Sequence, residues 1–154
     1  MRVSGDRAAL AVVGVICVAA MVIARRARPG VAVLLAVVAS FFASLALKDL
    51  FHVPRPTGEL SLVYASGWSF PSTDAAITSA AAAALYATVT WTAPAVRRRL
   101  GCVLALGVAV VGFLVVYLGA HWPSDVLAGW CLGGTLGAGT AYLGHRVLPP
   151  PKAG

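Results

Sequence analysis

Charge is scarce in this chain. Of its 154 residues only 11% are Asp, Glu, Lys or Arg, against roughly 25% in an average soluble domain. Acids number five. The three cysteines, Cys17, Cys102 and Cys131, lie inside apolar stretches and form no CxxC pair. An odd, dispersed set of this kind supports neither a disulfide framework nor a zinc ribbon. No basic face interleaved with base-stacking aromatics is present, so the net charge of +7 does not read as a nucleic-acid surface. No internal repeat or second domain is visible, and residues 1–154 read as one membrane domain. What remains is 60% hydrophobic residues and a mean hydropathy of +0.88, which excludes a disordered tail. That is more apolar surface than a core of this size can bury, so the bilayer is the expected solvent.

A helix crossing about 30 Å of hydrocarbon needs about twenty apolar residues. Five runs approach this: Ala8 to Ala24, Val31 to Leu47, Ala75 to Val96, Leu100 to Ala120 and Val126 to Leu143. The expected fold is therefore an all-α integral membrane bundle of about five transmembrane helices. Gly and Ala enrichment in the third and fifth runs weakens their hydropathy but permits close helix packing. The first run follows Arg2 and Arg7 as a signal peptide would. It ends in Arg25, Arg26 and Arg28 rather than in a small-residue cleavage site, which favours a retained span.

Five spans place the N-terminus, the long His52 to Phe70 loop and the turn at His121 on one side. The other side holds Arg25, Arg26, Arg28, Arg97, Arg98, Arg99, Arg146 and Lys152, eight of the twelve basic residues and none of the five acids. By the positive-inside rule this second side, with the C-terminus, is cytoplasmic. Nearly every group capable of polar chemistry then faces outward, at the outer interface of an inner (plasma) membrane.

Three patches meet on that outward side. The first, Lys48-Asp-Leu-Phe-His-Val-Pro-Arg55-Pro56, sets two cations seven positions apart at the end of the second run. They either hold an anion or snorkel to head groups. The second, Ser69-Phe-Pro-Ser72-Thr73-Asp74, precedes the third run. Ser72 reads as an N-cap, and the free amides of such a helix start also bind phosphate. The third, Tyr117-Leu-Gly-Ala-His121-Trp-Pro-Ser-Asp125-Val-Leu-Ala-Gly129, joins the fourth and fifth runs. His121 and Asp125 are four apart, so the carboxylate can hold one imidazole nitrogen while the other faces outward as nucleophile or base. The alternative is an interfacial His beside a helix-capping Asp. Trp68 and Trp122 are expected at the same level as interfacial anchors.

Together these patches resemble the type 2 phosphatidic acid phosphatase family of membrane lipid phosphatases, whose fold and site are shared with vanadium haloperoxidases. Lys48, Arg55 and Pro56 match its Lys-x6-Arg-Pro motif. Tyr117 to Gly119, His121 and Pro123 to Gly129 match its His-x3-Asp motif and surroundings. Pro71-Ser72-Thr73-Asp74 is similar to its Pro-Ser-Gly-His. The resemblance covers about residues 48–129.

The resemblance implies hydrolysis of a lipid phosphate or diphosphate, of phosphatidic acid or polyprenyl diphosphate type, through a phosphohistidine. His121 attacks phosphorus, Asp125 orients it, and Lys48, Arg55, Ser72 and the Thr73 amide hold phosphate oxygens, without metal or cofactor. Two family positions differ. The family's Arg six residues before the nucleophilic His is Val115 here, preceded by Leu114, and its leaving-group acid His is Asp74. A carboxylate serves as general acid only when protonated, and His52 in the first loop is a possible substitute. The chain also has one run fewer before the first motif than the family's usual six spans. These departures leave a second reading open: a degenerate member that binds lipid phosphate, or serves as a membrane partner or scaffold, without turnover.

Overall fold

The computed structural model describes residues 27–57, 61–89 and 93–147. The run Ala8 to Ala24 lies outside the described residues, as do Glu59 and Lys152. The described residues form four α-helices: α1 (Ala27–Phe51), α2 (Thr73–Thr88), α3 (Pro94–Tyr117) and α4 (Pro123–Val147). Within them, Gly30–Phe51, Pro94–Tyr117 and Pro123–Gly144 are long and apolar enough to cross a membrane. The all-helical membrane architecture expected from the hydropathy is therefore observed, with four helices among the described residues, where the second to fifth runs lie.

The third and fourth runs are divided differently from the expectation. The third stops at Thr88, and α3 begins at Pro94, with proline in its first turn. Proline has no amide to lose there and its ring fixes a helical φ, so it starts a helix rather than prolonging the preceding one. Arg97, Arg98 and Arg99, expected in a turn, consequently occupy the first turns of α3. Arg97 lays its guanidinium over the Tyr86 ring, 4.7 Å from the centroid.

Small side chains decide how the bundle closes. α2 lies at its centre and packs on all three other helices, while α1 also packs on α4 and α3 rests mainly on α2. Ala75, Ala76, Ala80, Ala81 and Ala84 of α2 are buried. Facing them, Gly129, Gly133 and Gly137 repeat every fourth residue along one side of α4. A Cβ added at Gly129 would lie 2.6 Å from the Ser72 carbonyl oxygen, and one at Gly133 would run into the Ala76 carbonyl. Without a hydrophobic drive between helices in lipid, such close backbone approach supplies the van der Waals contact that holds them together.

These stripes also deliver the polar groups. On α1 the buried residues Val33, Ala36, Val37, Ser40 and Ser44 continue at helical spacing to Lys48, one turn from the helix end. On α4 the glycine row continues upward to Asp125. The sequence pattern that packs the helices thus places Lys48, Asp125 and the start of α2 at one end of the bundle.

Candidate active site

Each helix terminus at that end has a local cause. Ser72, in extended conformation, caps α2 by accepting the Ala75 amide on its hydroxyl at 3.3 Å, and its own amide donates to the Asp125 carbonyl at 3.0 Å. The N-cap expected at Ser72 is thus present. Thr73 and Asp74 occupy the first turn of α2, both half-buried, and the Asp74 carbonyl accepts the Thr78 hydroxyl at 2.6 Å. At the end of α3, Gly119 takes φ +67, a conformation that costs glycine little. The chain then doubles back, and the amides of Ala120 and His121 donate to the Val115 carbonyl at 3.0 and 3.2 Å. This turn delivers His121 against α4.

His121 is 4% exposed and Asp125 is fully buried. His121 Nδ1 lies 3.3 Å from Asp125 Oδ2, as the four-residue spacing implied. The same oxygen accepts the Trp122 amide at 2.8 Å and the hydroxyl of Ser69. The amide bond is half of a capping box, in which a side chain inside the first turn reaches back to the residue before the helix.

On the other edge of the imidazole, Arg55 Nη1 stands 3.1 Å from Nε2. A guanidinium can only donate, so Nε2 must accept with its lone pair. The ring proton then sits on Nδ1 and points to Asp125. Two neighbours therefore select one tautomer. Burial first, and then the charges of Arg55 and Lys48, pull the His121 pKa down from 6.5 to about 4 against the opposing influence of Asp125. The imidazole is neutral at physiological pH, with its lone pair directed at a cation.

The cations are themselves fixed by main-chain carbonyls. Arg55 Nη1 donates to the Ala120 carbonyl at 2.8 Å, and its Nε reaches Ser66 and Gly67 at 3.2 and 3.1 Å. Gly67 has φ +76. Lys48 Nζ donates to Trp68 and Ser69 at 2.9 and 3.1 Å. The long loop is thereby folded over the helix ends, where the Ser69 amide also donates to Val53 at 2.7 Å.

The family model of the PAP2 superfamily matches residues 29–148. The chain belongs to the PAP2 superfamily. A curated relative, undecaprenyl-diphosphatase of Sulfolobus acidocaldarius, is 38% identical over 80 residues, or 52% of this chain. The match spans only 31% of that relative's length. Among solved structures, a PAP2 type phosphatidylglycerolphosphate phosphatase from Bacillus subtilis superposes with a TM-score of 0.76 over 92% of this chain and 71% of its own, at 21% identity. Aquifex aeolicus LpxE superposes with a TM-score of 0.64 over 75% of this chain and 68% of its own, at 26% identity. The first of these likenesses is one of fold.

In this PAP2 chain Lys48, Arg55, Ser72, Thr73, His121 and Asp125 gather at one end of the bundle. His52 does not join them: it is exposed, takes φ +49, and sets its ring edge-on to Trp68 at 4.8 Å. Trp68 and Trp122 are both partly exposed beside the site, and Trp122 Nε1 donates to the Pro54 carbonyl at 3.0 Å. Ser69, within the second patch, carries no sequence signal of a role in the site. A hydroxyl three positions before an N-cap carries no periodic signal, and its partner lies 56 residues away.

Proposed function

We propose that this protein is a membrane phosphatase that hydrolyses a lipid phosphate or diphosphate through a phosphohistidine on His121. The observation that carries the reading is the setting of that imidazole: buried, with Nδ1 on Asp125 and Nε2 beside Arg55. A nucleophile needs an unprotonated nitrogen held by an orienting base on its far side, which is the relation seen here.

In the reaction, the Nε2 lone pair forms a bond to phosphorus as the bond from phosphorus to the lipid oxygen breaks. The Nδ1 proton stays on the ring, and Asp125 stabilises the cationic imidazole. The departing oxygen takes a proton from Asp74 in its acid form. Water then attacks phosphorus and gives a proton to the Asp74 carboxylate, the P–N bond breaks, and inorganic phosphate leaves with neutral His121 and the acid form of Asp74 restored. Arg55, which occupies the space beside Nε2, turns its donors to the phosphoryl oxygens when substrate enters. Lys48, the Ser72 hydroxyl and the Thr73 amide at the start of α2 complete the electrostatic cradle that phosphoryl transfer requires. No step draws on a metal or a cofactor.

The site faces the extracytoplasmic side of the plasma (inner) membrane and the C-terminus is cytoplasmic; the basic residues at the far end of the bundle support this placement. The substrate class follows the names of the relatives, all lipid-linked phosphates or diphosphates where a substrate is stated. The test is phosphate release by purified protein from a panel of lipid phosphates and diphosphates, beside His121→Ala. Phosphate binding without His121-dependent release supports the second reading, a degenerate member, for which Val115 and Asp74 are the specific observations.

A further inference from the structure

We propose that Ser69 is a positioning residue for the His121 nucleophile, acting through Asp125. Ser69 is completely buried. Its hydroxyl bonds to Asp125 Oδ2, and because a carboxylate only accepts when ionised, the serine donates. Oδ2 therefore receives three protein donors: Ser69 Oγ, the Trp122 amide at 2.8 Å and His121 Nδ1 at 3.3 Å. The other oxygen, Oδ1, is buried and has no hydrogen-bond partner.

This asymmetry defines what Ser69 does. The terminal torsion of an aspartate is soft, and with two equivalent oxygens a carboxylate could present either one to the imidazole. Two donors from outside the His121 ring select Oδ2 and fix the carboxylate plane. The Trp122 amide belongs to the same turn as His121 and moves with it. Ser69 comes from the loop before α2, so it alone of the pair fixes Asp125 against a separate part of the fold.

Ser69 is itself held from two sides. Its amide donates to Val53, and its carbonyl accepts Lys48 Nζ at 3.1 Å. A chain of contacts thus runs from Lys48 through Ser69 to Asp125 and on to His121. It ties the first motif to the third through one side chain.

The inference rests on the phosphatase reading for its kinetic consequences, but the hydrogen bond from His121 Nδ1 to Asp125 can be read without turnover. The experiment uses full-length protein with ¹⁵N-labelled histidine, with His121→Ala to assign the His121 signals. In wild type, His121 is expected to show a protonated Nδ1 and a bare Nε2; in Ser69→Ala, with Arg55 still on Nε2, the tautomer should hold while the Nδ1–H proton signal moves upfield or splits as the bond to Asp125 loosens. In turnover, Ser69→Ala should lower kcat about ten- to a hundredfold, the range for losing a hydrogen bond to a charged group. KM should stay within about twofold, as for an interaction realised in the transition state. Added to Asp125→Asn, Ser69→Ala should cost nothing further. If Ser69→Ala is not recovered folded, Ser69→Cys, of similar volume with a weak donor, takes its place with the same readouts. An unchanged Nδ1–H signal in the variant, or an equal loss of kcat in the Asp125→Asn background, overturns the proposal. A wild type without phosphatase activity overturns the functional reading instead and leaves the Nδ1–H comparison to decide Ser69.

Discussion

Arg55 Nη1 and His121 Nε2 are 3.1 Å apart, so the cation of the first motif caps the nitrogen that the third motif aims outward. The same guanidinium reaches three carbonyls, of Ser66, Gly67 and Ala120. It therefore shapes the loop as well as holding the phosphate in the proposed mechanism. Lysine has one ammonium in place of a planar fork and cannot serve all these partners. Arg55→Lys is expected to lower kcat/KM on a lipid phosphate by about a hundredfold, comparable with losing one positioned oxyanion donor. Steady-state kinetics on the purified variant, with a thermal melt to separate folding from chemistry, check it.

The pH dependence has a definite sign. His121 is held neutral down to about pH 4, and only the neutral ring can attack phosphorus. The acid limb of kcat/KM belonging to this group is expected near pH 4, not near the ordinary 6.5 of an imidazole. Stability follows the same linkage: between about 6.5 and 4 the unfolded chain binds a proton that the folded site refuses, so the fold loses stability as pH falls through that window, by roughly 3 kcal/mol. A pH–rate profile, and melting temperatures recorded from pH 7 to pH 4, measure the two effects.

The glycine row of α4 supplies a packing prediction independent of chemistry. A Cβ at Gly133 meets the Ala76 carbonyl and the Ser79 hydroxyl. The backbone oxygen cannot swing aside as a flexible side chain would. Gly133→Ala is expected to destabilise the bundle by about 1 to 3 kcal/mol, whereas Gly134→Ala, with open space at its Cβ, should be nearly neutral. Melting temperatures of the two variants in the same detergent compare them.

The parts of this molecule legible in the sequence were those carried by local spacing. His121 and Asp125, one helical turn apart, were certain to be neighbours if Pro123 started a helix. Ser72 before an alanine-rich run announced its own cap. Lys48 could be placed on the outward side because it stands at the end of the second apolar run. Boundaries fared worse where apolar composition ran across a break: Ala75 to Val96 is one hydropathy segment, yet Pro94 already belongs to the next helix. Least legible were contacts made by main-chain carbonyls. Nothing in the residue types of Ser66, Gly67 or Ala120 shows that they accept Arg55, because every residue carries the same acceptor.

Asp74 and Val115 separate a working site from a remnant. If Asp74 delivers the leaving-group proton, turnover should decline as pH rises and the protonated carboxyl is depleted. Asp74→Asn should then abolish this decline at higher pH together with most of the rate. Restoring the family residues with Asp74→His and Val115→Arg is expected to raise activity and shift its optimum toward neutral pH. Val115 is half-buried in the last turn of α3, six residues before His121, where its carbonyl already accepts the His121 amide. Rates across pH for the wild type, Asp74→Asn and the double variant make the comparison.

The most direct measurement is inorganic phosphate released by the purified protein from lipid phosphates and diphosphates, set beside His121→Ala under the same conditions and across pH 4 to 8. Release that depends on His121, with rapid-quench trapping of an acid-labile phosphohistidine in the wild type alone, is the expected result. A wild type that releases no more phosphate than His121→Ala at any pH, on any lipid of the panel, contradicts the phosphatase assignment and leaves a lipid-phosphate-binding member of the superfamily.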